Sequence, residues 1–329
     1  MAKRAIDPRI KLRHLSCFLE VARLKSVVNA ADALNISQPA ASKTIQELEE
    51  LLGTPLFDRS RRSLFLTPFG EVFYRYAGTS LAALRQGIDA ASGSHEATMV
   101  KVGALPTVSA RILPGAVQAF SADGQSARAR IITGPNGYLL SLLRTGDVDL
   151  VIGRMAEPEA MLGFSFEHLY SERVVMVVRS GHPLLSQKRF NLAMIEPYQT
   201  LMPTPDSVIR RLVDRLLLAN GVTHLRDEVE TVSNAFGRSY VRQTDAVWII
   251  SEGVVAEDVA EGQLVLLPVD TSETVGPVGL TTRTDTTPTL ATTAFMQAVR
   301  DVAEGMREPF TSPSGGEVDP LGSGEGAFS

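Results

Sequence analysis

The chain changes hydrophobic rhythm several times, and each change marks an element. Leu12, Leu15, Leu19 and Ala22 recur at helical spacing with Phe18 beside them, which predicts a helix over 11–24. Val27, Ala30, Ala31 and Leu34 predict a second short helix, with Ser26 placed to cap it. Asn35 tolerates the backbone of a helix C-terminus, so 35–37 reads as a turn. Ser37 can cap a third helix, and Pro39 sits in its first turn, where a missing N–H breaks no intrahelical bond. On that helix Ala41, Ile45, Leu48 and Leu52 share one arc and form its core side. Short apolar runs at 56–57 and 64–66 then flank Asp58-Arg59-Ser60-Arg61-Arg62-Ser63, the pattern of a two-stranded wing. Thr67-Pro68 opens a long helix over 68–92, with Phe69, Val72, Phe73, Tyr76, Ser80, Ala83, Leu84 and Ile88 in steps of three and four.

From residue 98 the pattern alternates between strands and helices. Strands are expected at 99–103, 128–133, 149–153, 164–178, 200–202, 228–233, 247–251, 264–269 and 278–282. Helices are expected at 108–120, 138–144, 208–220, 235–243, 254–260 and 289–306. That order implies parallel sheets with helices on both faces, in two units between which the chain crosses near 168–178 and again near 270–277. Residues 311–329 are rich in Gly, Ser and Pro and are expected to be disordered.

Length and composition fit a protein of two or three domains: 329 residues, 44% hydrophobic and 21% charged. No apolar run is long enough to span a membrane, and the basic N-terminus lacks an apolar signal core, so a cytoplasmic location is expected. Cys17 is the only cysteine, which rules out an intrachain disulfide and a resolving partner for peroxide sensing. The net charge of −5 is unevenly spread. Residues 1–70 carry eleven Lys/Arg against seven Asp/Glu, or +4, and the remainder carries 21 against 30, or −9. A positive end beside an acidic body suits approach to DNA at one end.

Candidate chemistry falls in two places. On the third helix Gln38, Pro39, Ser42, Lys43 and Gln46 form a polar arc with one cation and no acid. Its amides and hydroxyl can bond base edges, and Lys43 can reach a guanine or a phosphate. An ordinary helical hairpin with a solvated polar face fits the same spacing. Arg59, Arg61 and Arg62 suit phosphate oxygens or a narrow minor groove, while a solvated charged turn is the alternative. In the alternating part, loops carrying Thr107, Val108 and Ser109, then Thr133, then Pro203 and Thr204 lie where strands feed helices. Hydroxyls and free N–H groups at helix N-termini suit a carboxylate. Phe236 and Arg238 on a fourth loop would add an aromatic wall and a cation, with Arg111 and Arg154 as further counter-charges. No metal-ligand spacing occurs among the five histidines, and no nucleophile elbow, P-loop or dinucleotide fingerprint follows a strand. Neither metal nor cofactor is expected, and an enzyme is the remote alternative.

The stretch FLEVARLKSVVNAADALNISQPAASKTIQELEELLGTPLFDRSRRSLFLTPFG resembles the N-terminal domain of LysR-type transcriptional regulators. The matching elements are the alanine-rich helix, Ser37-Gln38-Pro39-Ala40, Ile45-x-x-Leu48-Glu49, Leu56-Phe57-x-Arg59 and Leu66-Thr67-x-x-Gly70. VKVGALPTVSARILP, TGPNGYLLSLLRTGDVDLVIGRM and GFSFEHLYSERVVMVVRSGHPLL are similar to the PcaQ-like subgroup, which controls protocatechuate catabolism. The resemblance implies a winged helix-turn-helix over 1–67, a dimerisation helix over 68–95, and an effector domain over 96–308 like type 2 periplasmic binding proteins. Its first subdomain would take about 96–168 and 272–308, its second about 169–271, and 309–329 would be a tail. Implied partners are a double-stranded operator, contacted also by Val27, Ala30 and Ser37, a small carboxylate of carboxy-muconate type, further copies in a homodimer or homotetramer, and RNA polymerase. Relatives that regulate sugar uptake keep a different effector open.

Overall fold

The computed structural model describes residues 7–58, 64–92, 99–122 and 128–305. Helices α1 (Leu12–Leu24), α2 (Val27–Ala33) and α3 (Gln38–Leu52) pack around Phe18, Ala30, Ala41, Ile45 and Leu48, all fully or nearly fully buried. Local capping explains where they start and stop. The Ser26 hydroxyl accepts the Asn29 N–H, and the Ser37 hydroxyl accepts the Ala40 N–H. Asn35 takes the left-handed conformation, φ +54°, which turns the chain from α2 into α3. Gly53 ends α3 at φ +68°, a conformation that costs glycine little.

Strands β1 (Phe57–Asp58) and β2 (Phe65–Leu66) pair antiparallel, Phe57 opposite Leu66, and form the base of the wing. The tip, with Arg59, Arg61 and Arg62, lies outside the described residues. Helix α4 (Pro68–Ser92) has the predicted bounds. Its cap is Thr67, whose hydroxyl accepts the Gly70 N–H at 2.9 Å and donates to the Pro55 carbonyl at 2.8 Å. Phe73, Tyr74, Ala77 and Leu81 on α4 join the helix-turn-helix core, while Phe69, Val72, Tyr76, Leu84 and Ile88 remain exposed.

The rest of the chain builds two lobes. In chain order the elements are β3 (Met99–Ala104), α5 (Pro106–Ser109), α6 (Leu113–Ala122), β4 (Arg128–Thr133), α7 (Asn136–Thr145), β5 (Leu150–Arg154) and β6 (Phe164–Glu172). They continue as β7 (Val174–Arg179), β8 (Gln199–Met202), α8 (Arg210–Ala219), β9 (Asp227–Glu230), α9 (Asn234–Gln243), β10 (Val247–Ser251), α10 (Glu252–Ala260), β11 (Leu264–Leu266), β12 (Gly276–Arg283) and α11 (Leu290–Glu304). The first sheet has the order β4-β3-β5-β12-β6 and the second β11-β7-β10-β8-β9.

Three expectations need correction. The sheets are mixed rather than parallel: β12 runs antiparallel to both β5 and β6, and β7 antiparallel to β10 and β11. Each antiparallel strand lies next to a crossing between the lobes, where the chain passes over without the helix that a parallel return requires. The expected strand over 164–178 is two strands, β6 and β7, one in each sheet, joined at Arg173. The helix over 108–120 is split into α5 and α6, because Pro114 lacks an N–H and its ring crowds the carbonyl four residues back.

The two crossings are tied side by side. Arg154 is buried and donates to the Glu172 carbonyl at 2.6 Å and to the Thr274 carbonyl at 2.9 Å. The Thr274 hydroxyl accepts the Val174 N–H at 2.9 Å. The buried Glu172 carboxylate accepts the Gly253 N–H at 2.6 Å. Burial raises its pKa, and that hydrogen bond with the nearby Arg154 and Arg111 offsets only part of the shift.

The linker helix and the first lobe meet directly. Gly78 of α4 packs against Arg144 of α7, where a Cβ would come within 2.7 Å of the Arg144 side chain. Arg144 in turn lies over the rings of Tyr74 and Phe164, and Arg85 of α4 pairs with Asp147 beyond the end of α7.

Candidate DNA-reading face and ligand cleft

Helix α3 buries Ala41, Ile45 and Leu48 and turns Gln38, Pro39, Lys43 and Gln46 outward, with Ser42 half-buried beside them. The outward set is the polar arc expected from the spacing. Lys43 stands 3.9 Å from Glu47, an exposed pair too weakly held to keep it from a phosphate. Glu47 also receives Arg13 at 3.2 Å, which ties α1 to α3. Ser37 remains exposed while serving as the cap. Two other proposed contacts change. Ala30 is fully buried under α1 and α3 and offers DNA no surface, and Val27 packs partly into the same core. Alanine at position 30 lets the helices approach, while Val27 keeps part of its surface at the start of α2. Cys17 is buried against α3, its thiol donating to the Ala41 carbonyl, and burial pushes its pKa up, so it has the character of a core residue.

The expected cleft lies between the lobes. Thr107, Gly134, Pro135 and Asn136 from the first lobe face Pro203, Thr204, Ser207 and Asn234 from the second around a cavity of ≈ 50 Å³. Of the proposed ligand contacts, Thr107, Pro203 and Thr204 line it. Val108 is instead fully buried in the first lobe's core. The Ser109 hydroxyl donates to the Pro106 carbonyl, Phe236 stacks on Tyr240, and Thr133 sits exposed at the edge of its sheet. The Thr204 hydroxyl donates to Asp206 at 2.7 Å, which leaves Thr107 and Ser207 as hydroxyls without a side-chain hydrogen bond among the described residues. Helix α7 begins at the cavity wall with Pro135 as a cap that supplies no side-chain acceptor, so its first N–H groups are available.

The arginines named as counter-charges are occupied elsewhere. Arg238 is held by Asp258 at 2.7 Å and by the Val254 carbonyl, Arg154 by the crossing strands, and Arg111 lies over Tyr170. No Lys or Arg stands among the described residues that line the cavity. Asn136, Ser207 and Asn234 were missed although their loops were recognised, the two asparagines because hydroxyls and cations drew the choice, and Thr231 was missed because 228–233 reads as a strand. Asn directly after a capping residue was the available signal. A larger recess of ≈ 650 Å³ lies between the helix-turn-helix, α4 and α7. It mixes Arg23, Arg75 and Arg144 with Glu71, Glu159 and Asp206, and it is a gap between packed domains with no convergent chemistry. Among the described residues no cluster could hold a metal ion, and no helix is long and apolar enough to cross a membrane.

A helix-turn-helix with a wing, a long linker helix and two α/β lobes around a cleft define a ligand-responsive DNA-binding regulator. Residues 12–71 match the bacterial regulatory helix-turn-helix of the LysR family, and residues 93–304 match the LysR substrate binding domain. The chain belongs to the LysR family: it is a DNA-binding transcriptional regulator and not an enzyme. It is 53% identical to the HTH-type transcriptional regulator PcaQ of Agrobacterium fabrum over 300 residues, 91% of this chain and 96% of PcaQ. It is 35% identical to the uncharacterised HTH-type regulator YdcI of Escherichia coli, over 89% of this chain and 95% of YdcI. The fold is shared with a full-length OxyR variant from Pseudomonas aeruginosa, at 20% identity and a TM-score of 0.55 over 91% of this chain and 96% of that one. It is also shared with full-length BenM, at 22% identity and a TM-score of 0.52 over 90% and 98%.

Proposed function

We propose that this regulator activates genes of protocatechuate catabolism, the β-ketoadipate pathway, in response to a carboxy-muconate-type acid held between its two lobes. The identity to PcaQ across nearly the whole of both chains carries this reading. The cleft supports it through the hydroxyls of Thr107 and Ser207 and the uncapped start of α7, which favour an oxyanion. An acid that touches both lobes favours one relative arrangement only by binding it better. Helix α7 borders the cleft at its start and meets α4 at its other end, where Arg144 lies against Gly78, a route from ligand to DNA-binding domain.

Operator recognition is assigned to Gln38, Pro39, Ser42, Lys43 and Gln46, with Ser37 at the groove edge and Arg59, Arg61 and Arg62 on the backbone. The exposed Phe69–Ile88 stripe of α4 is assigned to a second copy, so that two α3 helices meet a roughly palindromic site. Gln46→Ala should cost about 1–3 kcal/mol at the base it reads and relax preference there. Fluorescence anisotropy against operators varied at single positions checks this; a uniform loss across all variants would move Gln46 from base reading to backbone contact.

Thr107→Val keeps the side-chain shape and removes the hydroxyl. Calorimetry with 3-carboxy-cis,cis-muconate should show affinity at least about tenfold weaker than in the parent, as for a lost hydrogen bond to a charged group. Equal binding by the variant would take the acid out of this cleft. The absence of Lys and Arg from the described cavity lining favours a second reading, a neutral polyhydroxy ligand such as a sugar. Heat from a monosaccharide and none from the acid decides for that reading.

A further inference from the structure

Asn234 opens α9 in the second lobe, and its Nδ2 donates to the Pro106 carbonyl of the first lobe at 2.6 Å. Both residues line the cavity. The side chain is not needed as a cap, because the Ser233 hydroxyl already accepts the Phe236 N–H. The Pro106 carbonyl has a second donor, the Ser109 hydroxyl at 3.0 Å. Val208 of the second lobe packs on the first lobe's core beside this contact, so a hydrogen bond and an apolar contact together hold the lobes shut.

The shut cavity, at ≈ 50 Å³, is far below the roughly 300–1,000 Å³ of small-molecule sites. Admitting a ligand therefore requires the lobes to part, and parting them breaks the Asn234–Pro106 bond. The carbonyl keeps its Ser109 partner when that happens. The Asn234 amide does not, and it is left as a donor facing a cleft whose described lining has no Lys or Arg to compete for an oxygen. A ligand oxygen is the acceptor that restores it.

We propose that Asn234 is a latch that exchanges acceptors: the Pro106 carbonyl when the lobes are shut, and a carboxylate or hydroxyl oxygen of the ligand when they part. The proposal rests on the cleft being the ligand site. It makes Asn234 both a ligand contact and the group whose release the ligand must compete with, a role no capping or packing residue has.

The test uses the full chain with Asn234→Ala and Asn234→Asp. Without ligand, hydrogen exchange at the N–H groups of 105–112 and 234–238 should be about fivefold faster in Asn234→Ala than in the parent, the effect of one lost hydrogen bond. The two sheets should exchange as before. Unchanged exchange around the cleft overturns the latch. In calorimetry with 3-carboxy-cis,cis-muconate, Asn234→Ala should bind about tenfold more weakly and Asn234→Asp more weakly still, since a second carboxylate repels the first. With a neutral monosaccharide, Asn234→Asp should retain binding, because its carboxylate accepts from a hydroxyl. Binding by Asn234→Ala equal to the parent overturns the exchange of acceptors. If the parent binds neither probe, the ligand reading above falls and the re-pairing step with it, while the hydrogen-exchange arm still decides the latch. The single tryptophan, Trp248, packs against Gly237 of α9, and its emission reports whether either variant disturbs that helix.

Discussion

Leu84→Glu will leave the regulator monomeric at micromolar concentration and abolish high-affinity operator binding. Leu84 is 46% exposed on α4, and Phe69, Val72, Tyr76 and Ile88 are exposed as well, Tyr76 to 68%. Phe73, Tyr74, Ala77 and Leu81 of the same helix are already committed to the helix-turn-helix core, and Gly78 lies against Arg144. Apolar side chains left exposed along a helix that is otherwise packed are the surface a second copy covers. A carboxylate in that seam is unpaired and buried, a cost of several kcal/mol in each of two symmetric positions. Losing the second recognition helix removes the gain from bivalent binding, about 10²–10⁴ in affinity. Sedimentation equilibrium and operator anisotropy measure the two effects. Circular dichroism should be unchanged, since Leu84 has no neighbour to lose within its own subunit's core. A variant that sediments as a dimer assigns the subunit contact to another face.

Gly279→Ala will destabilise the first lobe by at least about 3 kcal/mol, more than most overpacking changes, lowering the unfolding temperature by roughly 6–12 °C. Gly279 lies in β12 at a register shift after Val278, opposite His168 on β6 and Gly153 on β5. A Cβ there would overlap the Glu167 backbone carbonyl and come within 2.8 Å of the Phe166 ring. Neither neighbour can retreat: β12 is held on both edges, and Glu167 is further tied to Arg300 of α11 by a bidentate pair at 2.7 and 2.9 Å. Gly137→Ala is the matched control. Gly137 lies in the first turn of α7 with nothing within 4 Å of an added Cβ, so alanine should stabilise modestly, by up to about 0.5–1 kcal/mol, through helix propensity. Thermal unfolding of the pair checks both signs. Equal melting temperatures for Gly279→Ala and the parent would show that β12 yields where its pairing indicates it cannot.

Much of the fold was legible because its signals are local. Ser26, Asn35, Ser37, Gly53 and Thr67 set helix ends through bonds within a few residues, and the structure keeps those bounds to within one residue. The face of α3 was legible for a related reason: helical periodicity separates the Ala41–Ile45–Leu48 arc from the Lys43–Gln46 arc before any partner is present. Local pattern said less where two strands follow one another without a turn. The polar Ser171-Glu172-Arg173 lies within the expected crossing, but a strand pattern on either side of it does not say that the second strand enters another sheet. Strand direction was illegible too, since parallel and antiparallel neighbours bury the same side chains.

The candidate cleft divides along the same line. By itself the sequence determined the helix-turn-helix, the linker helix, the alternating lobes and the four loops that border the cavity, because turn chemistry and periodicity are properties of short segments. Only the tertiary structure decided which side chains within those loops meet. It placed Arg238 on Asp258, Arg154 on the crossing strands and Ala30 in the helical core, and it brought Asn234 to Pro106 across 128 residues of chain. A charged or polar side chain takes the nearest partner that the packed fold supplies. That partner comes from distant sequence, so its identity is a property of the assembled lobes.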